Sequence, residues 1–251
     1  MNKEETLLRK RLTELSRQAY HKDIVTFSDF LNLNELNILH TTPKDLFPAR
    51  YETFGGYEMA ERQMVAFLPD ALYYEYQYPM QVLKIRPANP RFAEELSHRD
   101  YLGSLMNLGV ERCKMGDILL LEDCAEVFVC QNIAGYLCQE LTRIRHTVVQ
   151  TELVAPEEIS YEPRFEEVKG TVSSIRLDSV LALAYPLSRS KMTSYIEGGR
   201  VFVNGKLITS NGYEPKDGDI ISVRGKGRFI FDGISHQTKK GRCSVRIMRY
   251  V

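Results

Sequence analysis

The sequence predicts an α+β protein built of three successive segments, and three observations carry that reading. Residues 1–75 place most of their apolar side chains at helical spacing. Residues 76–160 alternate β-rich and helical stretches in the order βαββαβ. Residues 170–251 open with two short helical stretches and continue as short strands punctuated by glycine turns, a small antiparallel sheet.

In the first segment, Leu7, Leu8, Leu12 and Leu15 form one stripe of a helix over residues 3–21. Ser28 is a candidate N-cap for a second helix through "FLNLNELNIL", which Pro43 and Pro48 bring to an end. "FGGYEMAER" supplies a glycine turn and "QMVAFLPD" a strand. Glu58, Glu61 and Arg62 read as a solvated helix face rather than a site.

The middle segment runs from "MQVLKIRPA" through the helical "HRDYLGSLMNLGV" to the β pair "GDILLLED" and "AEVFVC". The helical "QNIAGYLCQELTRI" and the strand "HTVVQTELV" complete it. This is the ferredoxin-like order, which RNA-recognition domains share, but no glycine- and aromatic-rich RNP1 stretch accompanies it. The acidic, proline-containing "VAPEEISYEPRFEEVKG" (154–170) reads as a linker.

In the last segment Ser173 or Ser174 caps a helix whose inner face is Leu177, Val180, Leu181 and Ala184. Pro186 interrupts the chain. Ser188 caps a second helix with Met192, Tyr195 and Ile196 inward, closed by Gly198-Gly199. "RVFVNGKLI" folds back at Asn204-Gly205, a strong hairpin signal.

Composition narrows the function. A chain of 251 residues that is 43% hydrophobic can bury more than one core. It has no apolar run of the roughly 18 residues a transmembrane helix needs, and the charged "MNKEETLLRKRLTEL" is unlike a signal peptide, so a cytoplasmic location is expected. Five cysteines without a CxxC and five scattered histidines argue against a disulfide framework and a metal site. No P-loop and no GxSxG is present, so no cofactor is implied. Net charge is zero but divided: residues 170–251 hold 14 Lys and Arg against 6 Asp and Glu, leaving 19 against 27 in the rest. A basic module on an acidic body suggests a polyanionic partner.

The placement of the cations sharpens this. Ser188, Arg189, Ser190 and Lys191 occupy a helix N-terminus, where free N–H groups and the helix dipole favour phosphate. Arg176, Arg200, Asn204 and Lys206 border the same junction, and Lys226 and Arg228 lie in a glycine-spaced turn. These ten residues are the candidate contacts, with Asn204 equally explained as a turn residue.

"RLDSVLALAYPLSRSKMTSYIEGGRVFVNG…GDIISVRGKGRF" resembles the αL RNA-binding domain named after ribosomal protein S-four. With "GGYEMAER" and "RGKGRF", the whole chain resembles the YlmH family. The resemblance implies an RRM-like middle domain, binding of structured RNA (ribosomal RNA, tRNA or both) and association with the ribosome. It implies a role with peptidyl-tRNA on stalled large subunits, without catalysis or membrane attachment. Two other readings remain: a protein scaffold whose acidic body docks a partner, and a relative of pseudouridine synthases using Asp178 of Arg176-Leu177-Asp178. The latter is disfavoured because the body carries no second Arg-Leu-Asp.

Overall fold

The computed structural model describes residues 3–58, 60–161, 164–238 and 241–250. Met59 of the glycine turn, and Lys239 and Lys240 of the basic count, lie outside them. The chain forms two compact units, Met1–Tyr161 and Glu162–Val251.

The first unit opens with α1 (Lys3–Lys22), which has Glu4 and Glu5 in its first turn and Lys22 in its last, matching the helix dipole. After β1 (Thr26–Phe27) comes α2 (Leu33–Thr41). Its N-cap is Asn32, not Ser28: Asn32 and Glu35 form a reciprocal capping box. The Ser28 hydroxyl instead accepts the Val65 N–H at 2.9 Å. β2 (Arg50–Phe54) and β3 (Met64–Leu68) follow, and β1, β3 and β2 make a three-stranded sheet that helical spacing does not signal.

All five residues of β3 are buried, and the sheet's two faces explain why. Val65 and Phe67 join Leu12, Ala19, Leu36 and Leu39 in the core under the helices. Met64 faces the other way, into a seam with Phe30, Val82 and Phe128. A strand covered on both faces reads as an unbroken apolar run.

The ferredoxin-like arrangement is present. It comprises β4 (Met80–Pro87), α3 (His98–Asn107), β5 (Met115–Leu120), β6 (Ala125–Cys130), α4 (Gln131–Glu140), β7 (Arg143–Ile144) and β8 (Thr147–Val154). The sheet order is β5-β6-β4-β8-β7, antiparallel throughout, with β7 an added edge. Leu83, Ile85, Val127 and Val129 pack beneath Tyr101, Leu105, Ala134 and Leu137 of the two helices. The segments expected at 1–75 and 76–160 thus fall within one unit and share the Phe128 seam.

Tyr57, Glu61 and Arg62 form a latch at this seam rather than a solvated helix face. The Asp117 carboxylate accepts from Tyr57 Oη (2.8 Å) and from the N–H groups of Glu61 (2.7 Å) and Arg62 (3.2 Å). The Arg62 guanidinium donates to the carbonyls of Met115, Phe30 and Arg112 at 2.9, 3.2 and 3.2 Å. Burial lowers the pKa of Arg62, and burial with the neighbouring Arg62 charge brings Arg112 down to about 10. A guanidinium tolerates such a place because its donors find carbonyl partners.

The second unit starts inside the expected linker. Phe165–Val172 is a strand, β9, because it pairs along its length with β14 (Cys243–Tyr250), from Phe165↔Tyr250 to Val172↔Cys243. Between them lie α5 (Leu177–Ala184), α6 (Arg189–Glu197), β10 (Val201–Val203), β11 (Lys206–Leu207), β12 (Ile220–Val223) and β13 (Gly227–Gln237). The sheet order is β11-β10-β12-β13-β14-β9. α5 is not capped by Ser173 or Ser174; Arg176 holds the N-cap position without a side-chain cap, and the Leu177 N–H goes to the Tyr213 carbonyl at 2.8 Å. Both helices pack on one sheet face, with Leu177, Val180, Leu181, Met192 and Ile196 against Val201, Ile221, Phe229 and Ile247.

Candidate nucleic-acid interface

Pro186 and the Ser188 cap set the start of α6. Ser188 Oγ accepts the Lys191 N–H at 3.4 Å and lies 3.1 Å from Ser190 Oγ. Ser188, Arg189, Ser190 and Lys191 are all exposed, while Met192 is fully buried, so one turn offers polar groups outward and an apolar anchor inward.

Beneath this turn lies Asp178, with 7% of its side chain exposed. Arg189 donates to Asp178 Oδ2 from Nη2 (2.7 Å) and Nε (3.3 Å), and Arg176 Nε donates to Oδ1 at 3.2 Å. Both guanidinium groups stay about half exposed, at 51% and 44%. Asp178 therefore holds two arginines beside the helix N-terminus with part of each facing solvent. Burial pushes the Asp178 carboxyl up, but the hydrogen bonds and charges of Arg189 and Arg176 together outweigh it and hold it below the ordinary aspartate value.

That shift has a testable sign. A carboxyl with a depressed folded-state pKa adds stability that is present above its unfolded value and is lost as pH falls through the folded one. Asp178→Asn is expected to cost about 1–2 kcal/mol at neutral pH, because the arginines it leaves are half solvated. Thermal melts of both proteins from pH 7 down to pH 3 check this: the gap should narrow as pH falls below about 5, and a gap independent of pH would contradict it.

The other candidates divide by what already occupies them. Asn204 sits in left-handed backbone at φ 48°, ahead of Gly205 at 74°. Its amide donates to Asp219 Oδ1 at 2.8 Å and accepts the Ile220 N–H at 2.9 Å, so it ties the hairpin to the Gly218-Asp219 turn. Lys206 is exposed on the edge strand β11. Arg200, Lys226 and Arg228 gather with Arg224 at one end of the sheet. Val201 pairs with Val223 and Ser222 with Arg228, and the Arg224 N–H donates to the Arg200 carbonyl at 2.9 Å. Arg224 is not among the residues that sequence reasoning selects; the alternating Arg224-x-Lys226-x-Arg228 spacing is the signal that could have found it.

Ion pairing sorts the cations of this surface into two groups: Arg176 and Arg189 are paired with Asp178, and others are not. Among the described residues, Lys191, Arg200, Lys206, Arg224 and Lys226 lie within 4.0 Å of no carboxylate. In the first unit Lys84 pairs with Glu126 (3.2 Å), Arg86 with Glu152 (2.8 Å) and Lys114 with Asp29 (2.7 Å), while the exposed Arg91 and Arg99 have no carboxylate within 4.0 Å among the described residues. The face of β4 and β6 on which an RNA-recognition sheet would stack bases is also filled: Val82 and Phe128 are fully buried under Phe30, Met64 and Tyr57.

Comparison with known proteins finds a match in each unit. Residues 74–168 match the family described as "Putative RNA-binding domain in YlmH", and residues 175–221 match the S4 domain. "Ribosome-associated protein quality control protein P2" of Bacillus subtilis (strain 168) is 32% identical over 197 residues, spanning 78% of this chain and 76% of that protein. The chain belongs to the YlmH family. The solved structure of "Cell division protein ylmH from Streptococcus pneumoniae" shares the fold, with TM-score 0.50 and 22% identity over 64% of this chain and 97% of that one. In this YlmH chain the S4 match stops at Ile221, yet Phe229, Phe231, Val245 and Ile247 belong to the same core, so β13, β14 and β9 extend the S4 sheet.

Proposed function

We propose that this chain binds structured RNA of the ribosome through its second unit, and that it works by holding the RNA rather than by transforming it. The observation that carries the reading is the group of exposed cations at the α6 N-terminus (Arg189 and Lys191) and at one end of the sheet (Arg200, Arg224 and Lys226) of an S4-type unit, of which all but Arg189 lack a carboxylate within 4.0 Å among the described residues. Phosphate supplies the charge those side chains lack, and the helix N–H groups supply further donors. The name of the Bacillus subtilis relative supports a ribosomal location and a part in quality control. On this reading the RNA is ribosomal RNA, tRNA or both on the large subunit, in the cytoplasm, and the task is handling stalled peptidyl-tRNA.

Asp178 favours binding over uridine chemistry. Both its oxygens are engaged by arginines, which suits an anchor rather than a carboxylate aimed at substrate. The salt dependence of affinity for purified large ribosomal subunits tests the proposal. If about five phosphates are neutralised, log K should fall against log salt with a slope of roughly −3.5 to −4.5. A slope near zero would reject it.

A further inference from the structure

Three arginines of the second unit lie over aromatic rings. The Arg200 guanidinium carbon is 5.4 Å from the Tyr195 ring centre, that of Arg224 is 4.9 Å from Phe202, and that of Arg228 is 4.5 Å from Tyr250. Significant pairs of this kind occur about once per 70–80 residues. Among the described residues all three fall in Glu162–Val251 and none in the larger first unit. The grouping places all three on the unit that carries the S4 match.

Their positions follow from strand register. Phe202 opposes Ser222, and Ser222 opposes Arg228, so Phe202 and Arg228 share the sheet face turned away from the helices. Arg224 closes the same end, joined through its N–H to the Arg200 carbonyl. The Lys226 N–H bonds the Val223 carbonyl at 2.9 Å, and Gly225 and Gly227 take left-handed backbone (φ 79° and 107°), so the turn between β12 and β13 is tight. The three arginines are exposed, whereas the rings beneath them are half-buried and fixed by the fold.

A ring beneath a guanidinium limits its motion, so less rotamer freedom is lost when a ligand engages it. Phosphate is bound by lysine as a point charge and by arginine through paired N–H donors, and neither mode needs a ring beneath the cation. A planar guanidinium held on a ring offers something lysine does not: a flat surface for a nucleobase, with N–H groups at its rim. We propose that Arg200, Arg224 and Arg228, each backed by its ring, form a platform on which unpaired RNA bases stack, so that this unit takes looped-out or single-stranded nucleotides beside the structured backbone. The inference rests on the RNA-binding reading above and adds the class of nucleotide to it.

Two strands of equal length test it, a uridine-rich oligonucleotide and its abasic counterpart with the same phosphates. The full-length protein should bind the base-bearing strand about tenfold or more tightly per stacked base. A 2-aminopurine placed in that strand should lose fluorescence on binding. In a variant carrying Arg200→Lys, Arg224→Lys and Arg228→Lys, the preference for bases should shrink to within about twofold and the quenching should fade, because charge without a plane stacks poorly. Equal affinity of the unaltered protein for both strands, with a steep salt slope, would overturn the platform and leave the phosphate grip standing. A flat salt slope with the base preference intact would instead sink the phosphate reading and keep the platform. The strand comparison uses the unaltered protein, so the test does not depend on the variant folding.

Discussion

Gly56→Val is expected to destabilise the first unit by about 3 kcal/mol or more, a combined cost of backbone strain and overpacking. Gly56 has φ +101°, a region side-chain-bearing residues rarely adopt, and a Cβ built there would stand 2.1 Å from the Phe128 ring. Phe128 cannot retreat: it is fully buried in the seam between the two sheets, beside Phe30, Met64 and Val82. At roughly 2–4 °C per kcal/mol for a unit of this size, the first unit's melting transition should fall by about 6–12 °C or more. Gly103 provides the control. It lies within α3, and a Cβ placed on it would meet nothing within 4 Å, so Gly103→Ala should raise stability by about 0.5–1 kcal/mol. Calorimetry on both variants checks the opposite signs, and an unchanged transition for Gly56→Val would mean the seam is looser than its packing indicates.

The second large effect concerns binding. Exchanging Arg200 and Arg224 for glutamate is expected to weaken association with large ribosomal subunits about a hundredfold or more. Two charge-assisted contacts to phosphate, at roughly 1.5–3 kcal/mol each, are lost and replaced by repulsion. The fold should survive, because both side chains are exposed and the core beside them is Val201, Ile221 and Val223, which the substitutions leave untouched. The same change at Arg189 would be harder to interpret, since it also removes one of the two arginines that hold the buried Asp178.

Much of this architecture is legible in the sequence where local rules govern it. The Ser188 cap, the Asn204-Gly205 hairpin and the βαββαβ order follow from short-range periodicity and turn chemistry. The rest depends on distant partners. "FEEVKGTV" looks like linker because its charges alternate with few apolar residues, and only β14, which follows it by some 70 positions in the chain, makes it a strand. Arg62 and Glu61 look solvated until Asp117 and the Met115 carbonyl are brought to them. Arg189 and Arg176 stand out as cations at helix starts, but nothing local shows that one buried carboxylate holds both. Ion pairing is a property of the folded surface, so no local pattern tells the paired Arg176 and Arg189 from Arg200 and Arg224.

The central claim is that association with RNA is a property of this particular surface rather than of overall charge. Co-sedimentation with purified large ribosomal subunits, comparing the Arg200→Glu, Arg224→Glu protein with an Arg91→Glu, Arg99→Glu protein, tests it most directly. Arg91 and Arg99 are exposed cations of the first unit, so the two proteins carry the same change in net charge. Binding should collapse in the first protein and stay within about twofold of the unaltered chain in the second, where no phosphate contact is removed. Equal losses in the two would contradict the claim, and so would full binding by the first.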